Sequence, residues 1–269
     1  MATDDELQAY YERDRERDRL ASGIGELEFL RTTEIITRTL PAAPATVADI
    51  GGGPGRYTDW LVELGYEVIH RDVVPHHVDQ VRQRWGSRID SAVGDACDLG
   101  DIEDDSVDAV LLLGPLYHLA DAADRRAALD EAARITRPGG MVYAAGITRW
   151  AARIMAILVE RGYDQHTFLL DTIDALEETG NIRPHEAGHF TGYTHTPAQF
   201  RDEMTIDALA VESVLAIEGI ASAFTDGDIA ARLANPTDRR VLLDSIRALE
   251  AIPDLLGASS HLLATARVR

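Results

Sequence analysis

The sequence predicts an α/β fold, with a mostly parallel, doubly wound sheet and helices on both faces. From Thr46 onward, short apolar runs alternate with segments of helical periodicity, and strands separated by helices imply parallel pairing. The first of these runs ends in Gly51-Gly52-Gly53-Pro54-Gly55, a glycine cluster that opens a helix. Two further segments with strand character, Leu209 to Ile217 and His261 to Val268, suit a strand pair added at the edge of a parallel sheet.

Ahead of the sheet the chain reads as helix. Glu12 to Arg19 alternates in sign, as a solvated helical face does. Leu27, Leu30, Glu34 and Ile35 fall close to helical spacing in a segment, Leu27 to Leu40, that Pro41 and Pro44 end. Val47-Ala48-Asp49-Ile50 is a short buried strand. Beyond the glycines, Tyr57, Trp60, Leu61 and Leu64 share one stripe of a helix closed by Gly65. Tyr66 to His70 is the second strand, and Val78, Val81 and Trp85 mark the next helix. His76 and His77 begin that helix and read as solvated. Ile89 to Val93 and Val107 to Leu113 supply two more strands. Leu129, Ala132 and Ile135 line a helix that Arg137-Pro138-Gly139-Gly140 stops, and Met141 to Gly146 is the fifth strand.

The alternation then breaks. Trp150, Ile154, Ile157 and Leu158 form a helical stripe, Phe168 to Glu178 a second helix, and Gly180 to Thr196 an irregular stretch. This segment reads as an insertion or lid over the sheet, after which Pro197 to Met204 is helical again. The expected organisation is an N-terminal helical cap (1–45), a ligand-binding core (46–147), a helical and irregular lid (148–200) and the C-terminal part of the sheet (201–269).

The 269 residues include 26 basic and 46 acidic side chains, a net charge of −20, and none of the basic residues is lysine. So anionic a surface repels phosphate backbones, which argues against a nucleic-acid partner. No apolar run is long enough to span a bilayer. Met1-Ala2-Thr3-Asp4-Asp5-Glu6 lacks the basic start and apolar middle of a secretory signal. With Cys97 the lone cysteine no intramolecular disulfide can form, which suits a cytoplasmic enzyme. Neither nucleic acid nor membrane is therefore expected as a partner, and a homodimer stays open.

The glycine turn carries the chemistry. A strand running through a glycine turn into a helix brings backbone close to a nucleotide-like ligand. A dinucleotide site needs G-x-G-x-x-G. From Gly51 the last position is Arg56, and from Gly53 it is Thr58, so both registers fail. What stands here is acidic-x-Gly-x-Gly-x-Gly, with Asp49, Gly51, Gly53 and Gly55. In this the sequence resembles the class I, Rossmann-like methyltransferases, whose first motif has this form and whose sheet has seven strands. The resemblance implies S-adenosylmethionine as cofactor and a small molecule as methyl acceptor. Asp49 would orient the loop and hold the ammonium of the methionine tail, directly or through water, while the glycines let backbone pack on tail and ribose.

Asp72, ending the second strand, can accept both ribose hydroxyls, and Val73 would pack on one face of the adenine. In methyltransferases the position of Asp95 accepts the adenine amino group and the backbone at Ala96 addresses the ring; Leu113 falls beside the cofactor in the same way. Cys97 reads as packing rather than nucleophile, since no basic partner flanks it. The loop Gly114-Pro115-Leu116-Tyr117-His118 leaves the fourth strand at the ligand-binding edge. His118 is the leading candidate for a general base or acceptor-orienting group, with helix capping or a cofactor contact as the alternative.

The ends resemble a narrower group of bacterial small-molecule methyltransferases, through Tyr10-Tyr11-Glu12, Arg19-Leu20, Leu27-Glu28-Phe29-Leu30-Arg31-Thr32 and Leu255-Leu256-Gly257-Ala258-Ser259. In such enzymes N-terminal helices close over the cofactor. Tyr11 and Arg31 are thus candidates to contact substrate and the cofactor's carboxylate, or else surface and packing residues.

His185-Glu186-Ala187-Gly188-His189-Phe190-Thr191-Gly192-Tyr193-Thr194-His195 satisfies a zinc-protease signature. That chemistry needs the first two histidines one turn apart on a rigid helix. Pro184 and Gly188 work against such a helix, so no metal is expected, and His189, Tyr193 and His195 read as lid residues lining an acceptor pocket and assisting proton removal. Two rival readings remain: an oxidoreductase using a nicotinamide cofactor, and a silent cofactor- or metal-binding module built on His185, His189 and His195.

Overall fold

The structure, a computed structural model, describes residues 19–164, 166, 168–182 and 191–269. In chain order the strands are β1 (Thr46–Ile50), β2 (Glu67–Asp72), β3 (Asp90–Val93), β4 (Val107–Leu112), β5 (Thr136–Thr148), β6 (Asn181–Ile182), β7 (Gly192–His195), β8 (Leu209–Ala216) and β9 (His261–Val268). The helices are α1 (Gly23–Thr37), α2 (Arg56–Glu63), α3 (Pro75–Trp85), α4 (Pro115–His118), α5 (Ala122–Ile135), α6 (Phe168–Thr179), α7 (Pro197–Met204), α8 (Asp226–Ala234) and α9 (Pro236–Leu249).

β1 lies between β2 and β4 and is parallel to both, with Ala48 opposite Ile69 on one side and Val110 on the other. The order runs β3-β2-β1-β4-β5, and β9 then pairs antiparallel with β5 and with β8. Strand order therefore reverses between β1 and β4, and in open α/β sheets ligands bind in the crevice beyond the carboxyl ends of the strands at such a reversal. The glycine turn that follows Ile50 stands at that place.

Both faces of the sheet are apolar because helices cover both, and alternate residues serve opposite faces. Ala48, Ile50, Val110, Leu112, Val142 and Ala144 pack with Ala128, Leu129 and Ala132 of α5 and with Phe200 and Met204 of α7. Val47, Ala109, Leu111 and Tyr143 point the other way, onto Ile35 and Ile36 of α1 and Tyr57 and Leu61 of α2. Leu27 of α1 joins a third cluster with Ile229 and Leu233 of α8 and Leu242 and Ile246 of α9. No helix among the described residues is long and apolar enough to cross a membrane.

The mostly parallel sheet with an edge pair is as the sequence predicts, but among the described residues it has nine strands. The two extra ones come from the stretch read as irregular: β6 and β7 form a short antiparallel pair, and β7 adds in parallel to the end of β5 through Ile147–Thr194 and Thr148–His195. The stripe from Trp150 to Leu158 becomes a π-helix over Arg153–Val159, which turns Ile157 inward and leaves Leu158 exposed. The wider π turn breaks the 3.6-residue spacing on which the stripe rested.

Candidate functional site

One cavity opens at the sheet crevice. It is lined by the glycine loop (Gly52, Gly53, Pro54), by Asp72, Val73 and Val74 at the end of β2, by Leu113 and Tyr117 after β4, by Arg56 and Tyr57 of α2, and by Arg19, Leu20 and Glu28. Of the residues expected at a cofactor, Gly53, Asp72, Val73 and Leu113 face it.

The loop glycines are needed for different reasons. Gly51, Gly53 and Gly55 all have left-handed backbone, at φ 65°, 56° and 88°, where a side chain costs roughly 1–2 kcal/mol. A Cβ on Gly51 would come 2.6 Å from Pro115 Cγ, and one on Gly55 2.6 Å from Val81 Cγ2. Those two glycines permit close packing within the protein. At Gly53 a Cβ would meet no atom within 4 Å, so its bareness serves the open side of the loop.

Asp49 is buried beneath the loop and does not line the cavity. Its Oδ2 accepts from Thr58 Oγ1 at 2.7 Å, and burial pushes its carboxyl up. His70, fully buried on β2, bridges Ser91 Oγ and the Gly53 carbonyl, each at 3.0 Å. Arg84 donates to the Pro54 carbonyl from the far side. The loop is thus held from below by side chains of β1, β2 and α3.

Asp72 holds the loop from within. Its Oδ2 accepts from the Gly53 backbone N–H at 2.8 Å, and its Oδ1 accepts from the Val74 N–H at 2.9 Å and pairs with His77 Nδ1 at 3.1 Å. Burial would raise this carboxyl, but His77 and the two N–H donors outweigh it and hold the group below its ordinary range. His77, expected in solvent, is buried. Pro75 occupies the first turn of α3, which folds the helix start back over Asp72.

After β4, Pro115 packs on the loop and Tyr117 on the cavity. His118 packs against Tyr117 with the rings tilted 47° and their centroids 4.9 Å apart. Burial drives its pKa down to about 4, with the Asp72 charge opposing and Arg19 assisting, so the imidazole is neutral near pH 7. Asp95 and Ala96 lie outside the cavity lining: Asp95 is exposed and accepts from the Cys97 N–H at 2.9 Å, and Ala96 packs in the core. Burial and nearby Asp95 push the Cys97 thiol up to about 12, so it stays protonated.

The structure does not bring Arg31 to the cavity. It is fully buried, with Nη1 donating to Glu34 Oε2 at 2.6 Å and Nη2 to Glu250; a carboxylate far along the chain claims it. Tyr193 and His195 pack against each other outside the cavity lining, ring centroids 4.8 Å apart. The Arg125 guanidinium lies 3.9 Å over the Tyr193 ring and donates to Glu203 at 2.8 Å and to the carbonyls of Leu119 and Ala120, both at 2.9 Å. His195 is fully buried on β7 with Nε2 3.2 Å from Glu203, so it meets no acceptor directly. Tyr11, His185 and His189 lie outside the described residues.

Reading by sequence missed Arg19, Glu28, Arg56 and Tyr57 in the lining, and His70 and His77 as supports; it placed Tyr117 in the loop at the ligand-binding edge without giving it a role. Only His77 had a local signal, five residues beyond Asp72 and just inside a proline-started helix.

Residues 48–144 match the methyltransferase domain family. An uncharacterized methyltransferase of Mycobacterium tuberculosis is 38% identical over 107 residues, covering 40% of this chain and 42% of that protein. The demethylmenaquinone methyltransferase of Clavibacter sepedonicus is 30% identical over 162 residues, covering 60% of this chain and 61% of that protein. The chain thus spans less than two thirds of the length of these curated relatives. Among solved structures, the Burkholderia thailandensis 1,6-didemethyltoxoflavin-N1-methyltransferase, with its substrate and S-adenosylhomocysteine bound, superposes with a TM-score of 0.59 at 15% identity, covering 98% of this chain and 85% of that one.

Proposed function

We propose that this chain, a class I S-adenosylmethionine-dependent methyltransferase by its domain and fold, passes the sulfonium methyl to an oxygen, nitrogen or carbon nucleophile of a small molecule. The observation that carries the reading is Gly53, whose open side faces the same cavity as Asp72 and Val73 at the reversal of strand order. A glycine in left-handed backbone with empty space before it is a cradle that a Cβ would fill, and the failed dinucleotide spacing disfavours a pyrophosphate there.

The cofactor supplies an electrophilic methyl on a good leaving group; the protein's task is mainly to position and align the acceptor. Asp72, kept ionised by His77 and two backbone N–H groups, retains one lone pair, on Oδ2, for a ribose hydroxyl. Val73 offers an apolar face to the adenine, and Leu113 and Tyr117 flank the opening toward the acceptor. His118 is the proton acceptor or orienting group on this reading, neutral and beside Tyr117. Tyr193 and His195 act through Arg125, which holds the Leu119 and Ala120 carbonyls and hence the loop carrying His118.

The test is incubation of small-molecule extracts with methyl-labelled S-adenosylmethionine and the enzyme, followed by mass spectrometry. A low-molecular-weight product carrying the label is expected. Label found only on protein or nucleic acid, or on nothing while the cofactor stays unbound, would overturn the proposal.

A further inference from the structure

Arg19 and Glu28 stand in the cavity wall beside Gly52 and Gly53. Arg19 Nη1 donates to Glu28 Oε2 at 2.6 Å and Nη2 to Oε1 at 3.2 Å, a two-pronged pair. Behind Glu28, His261 Nδ1 lies 2.6 Å from Glu218 Oε1 and 3.9 Å from Glu28 Oε2. Glu218 is fully buried, and its other oxygen accepts from Ser259 Oγ at 2.9 Å and from the His261 backbone N–H at 3.0 Å.

Glu28, Glu218 and His261 bring ligand atoms within 4.8 Å of one another, a spacing a metal could use. Their hydrogen bonding argues for an ion pair instead. Burial lowers His261, but Glu218 and Glu28 outweigh it and raise it to about 9. At neutral pH the ring nitrogen facing Glu218 therefore carries a proton and has no lone pair for a cation.

The cavity wall thus holds a guanidinium and a carboxylate that neutralise each other, with a second neutralised pair behind. Resting on S-adenosylmethionine as the cofactor, we propose that Arg19 and Glu28 recognise its amino-acid end by exchange: Arg19 takes the carboxylate, Glu28 takes the ammonium, and the His261–Glu218 pair holds Glu28 in position.

A zwitterion entering a partly buried site gives up hydration at both charges, and each needs an opposite charge in return. An arginine–glutamate pair is its complement, and swapping partners leaves the site's net charge unchanged. The planar guanidinium fork matches a carboxylate in two hydrogen bonds. Arg31 is committed to Glu34 and Glu250. Arg56, the other guanidinium in the wall, stacks 3.9 Å over the Phe29 ring. Arg19 alone of the three is paired with an anion that itself faces the cavity, so releasing it strands no charge once the ammonium arrives.

The test compares S-adenosylhomocysteine with 5′-methylthioadenosine, which lacks the amino-acid end, by titration calorimetry. The wild-type chain should prefer the former. Arg19→Gln and the near-isosteric Glu28→Gln should each weaken S-adenosylhomocysteine about 10- to 100-fold, as loss of a charged hydrogen-bonding partner implies, and leave methylthioadenosine within about twofold by the same argument. Arg19→Lys, with the charge but not the fork, should fall between. His261→Gln should weaken S-adenosylhomocysteine selectively, by less than Glu28→Gln. Equal weakening of both ligands, or an unchanged preference in both glutamine variants, would overturn the exchange. Wild-type protein that bound neither nucleoside would instead count against the cofactor.

Discussion

Asp72→Ala separates the two tasks assigned to one carboxylate. In the fold it satisfies three donors: the Gly53 N–H, the Val74 N–H and His77 Nδ1. Val74 and His77 are buried, at 3% exposure each, whereas the Gly53 N–H borders the cavity and can turn to water. Two stranded buried donors at about 1–3 kcal/mol each cost about 2–6 kcal/mol of stability. Binding loses one charge-assisted hydrogen bond to the ribose, about 1.5–3 kcal/mol, or roughly 10- to 100-fold in affinity. Thermal melting gives the first number, and calorimetry with S-adenosylhomocysteine, run well below the melting temperature, gives the second. A folded variant that bound within twofold of wild type would refute the ribose assignment. An unchanged melting temperature would refute the claim that Asp72 holds the loop.

The glycines should divide by the direction each one faces. Gly53→Ala should cost about 1–2 kcal/mol of stability for its left-handed backbone but most of the cofactor affinity. Gly55→Ala should cost more, about 2–5 kcal/mol, from backbone and from the Val81 clash together, as denaturant titration would register. For His118→Gln the expected outcome is lost turnover with retained cofactor binding, once the acceptor is known; normal turnover would remove the residue from the mechanism. Its neutral ring, titrating near 4, should leave wild-type turnover without an imidazole step near pH 6.5. His261 titrates near 9 in the fold against about 6.5 unfolded. Its contribution is therefore full below pH 6.5 and lost as pH rises through 9. Wild-type melting temperature should fall across that window more than that of His261→Gln, and parallel curves would refute the ion pair.

The parts legible in the sequence were those whose physics is local. A buried strand, a glycine turn and a helix start are contiguous, so Gly51, Gly53, Gly55 and Asp72 could be placed before any contact was known. The alternation of Leu209 to Ala216 and the final strand from His261 were likewise written in short-range pattern. Arg31 went astray because its counter-charge, Glu250, lies 219 residues away, and no local rule distinguishes a guanidinium aimed at a ligand from one claimed by a distant carboxylate. The His261–Glu218 pair, 43 residues apart, was invisible for the same reason, since it forms only where the ends of β8 and β9 meet; Arg19 and Glu28 are nine residues apart, beyond the three- or four-residue spacing at which a helix pairs charges. His76 and His77 look alike in sequence; only the fold-back of α3 onto Asp72 buries the second. Gly180 to Thr196 lacked a strand pattern because β6 and β7 are two and four residues long, too short to show a period.

A crystal structure grown with S-adenosylhomocysteine tests the account most directly. Density for an adenosyl amino acid is expected across the crevice, its ribose at Asp72 and its tail along Gly53 toward Arg19 and Glu28. A crevice left empty by that ligand but filled when NAD is supplied would contradict it.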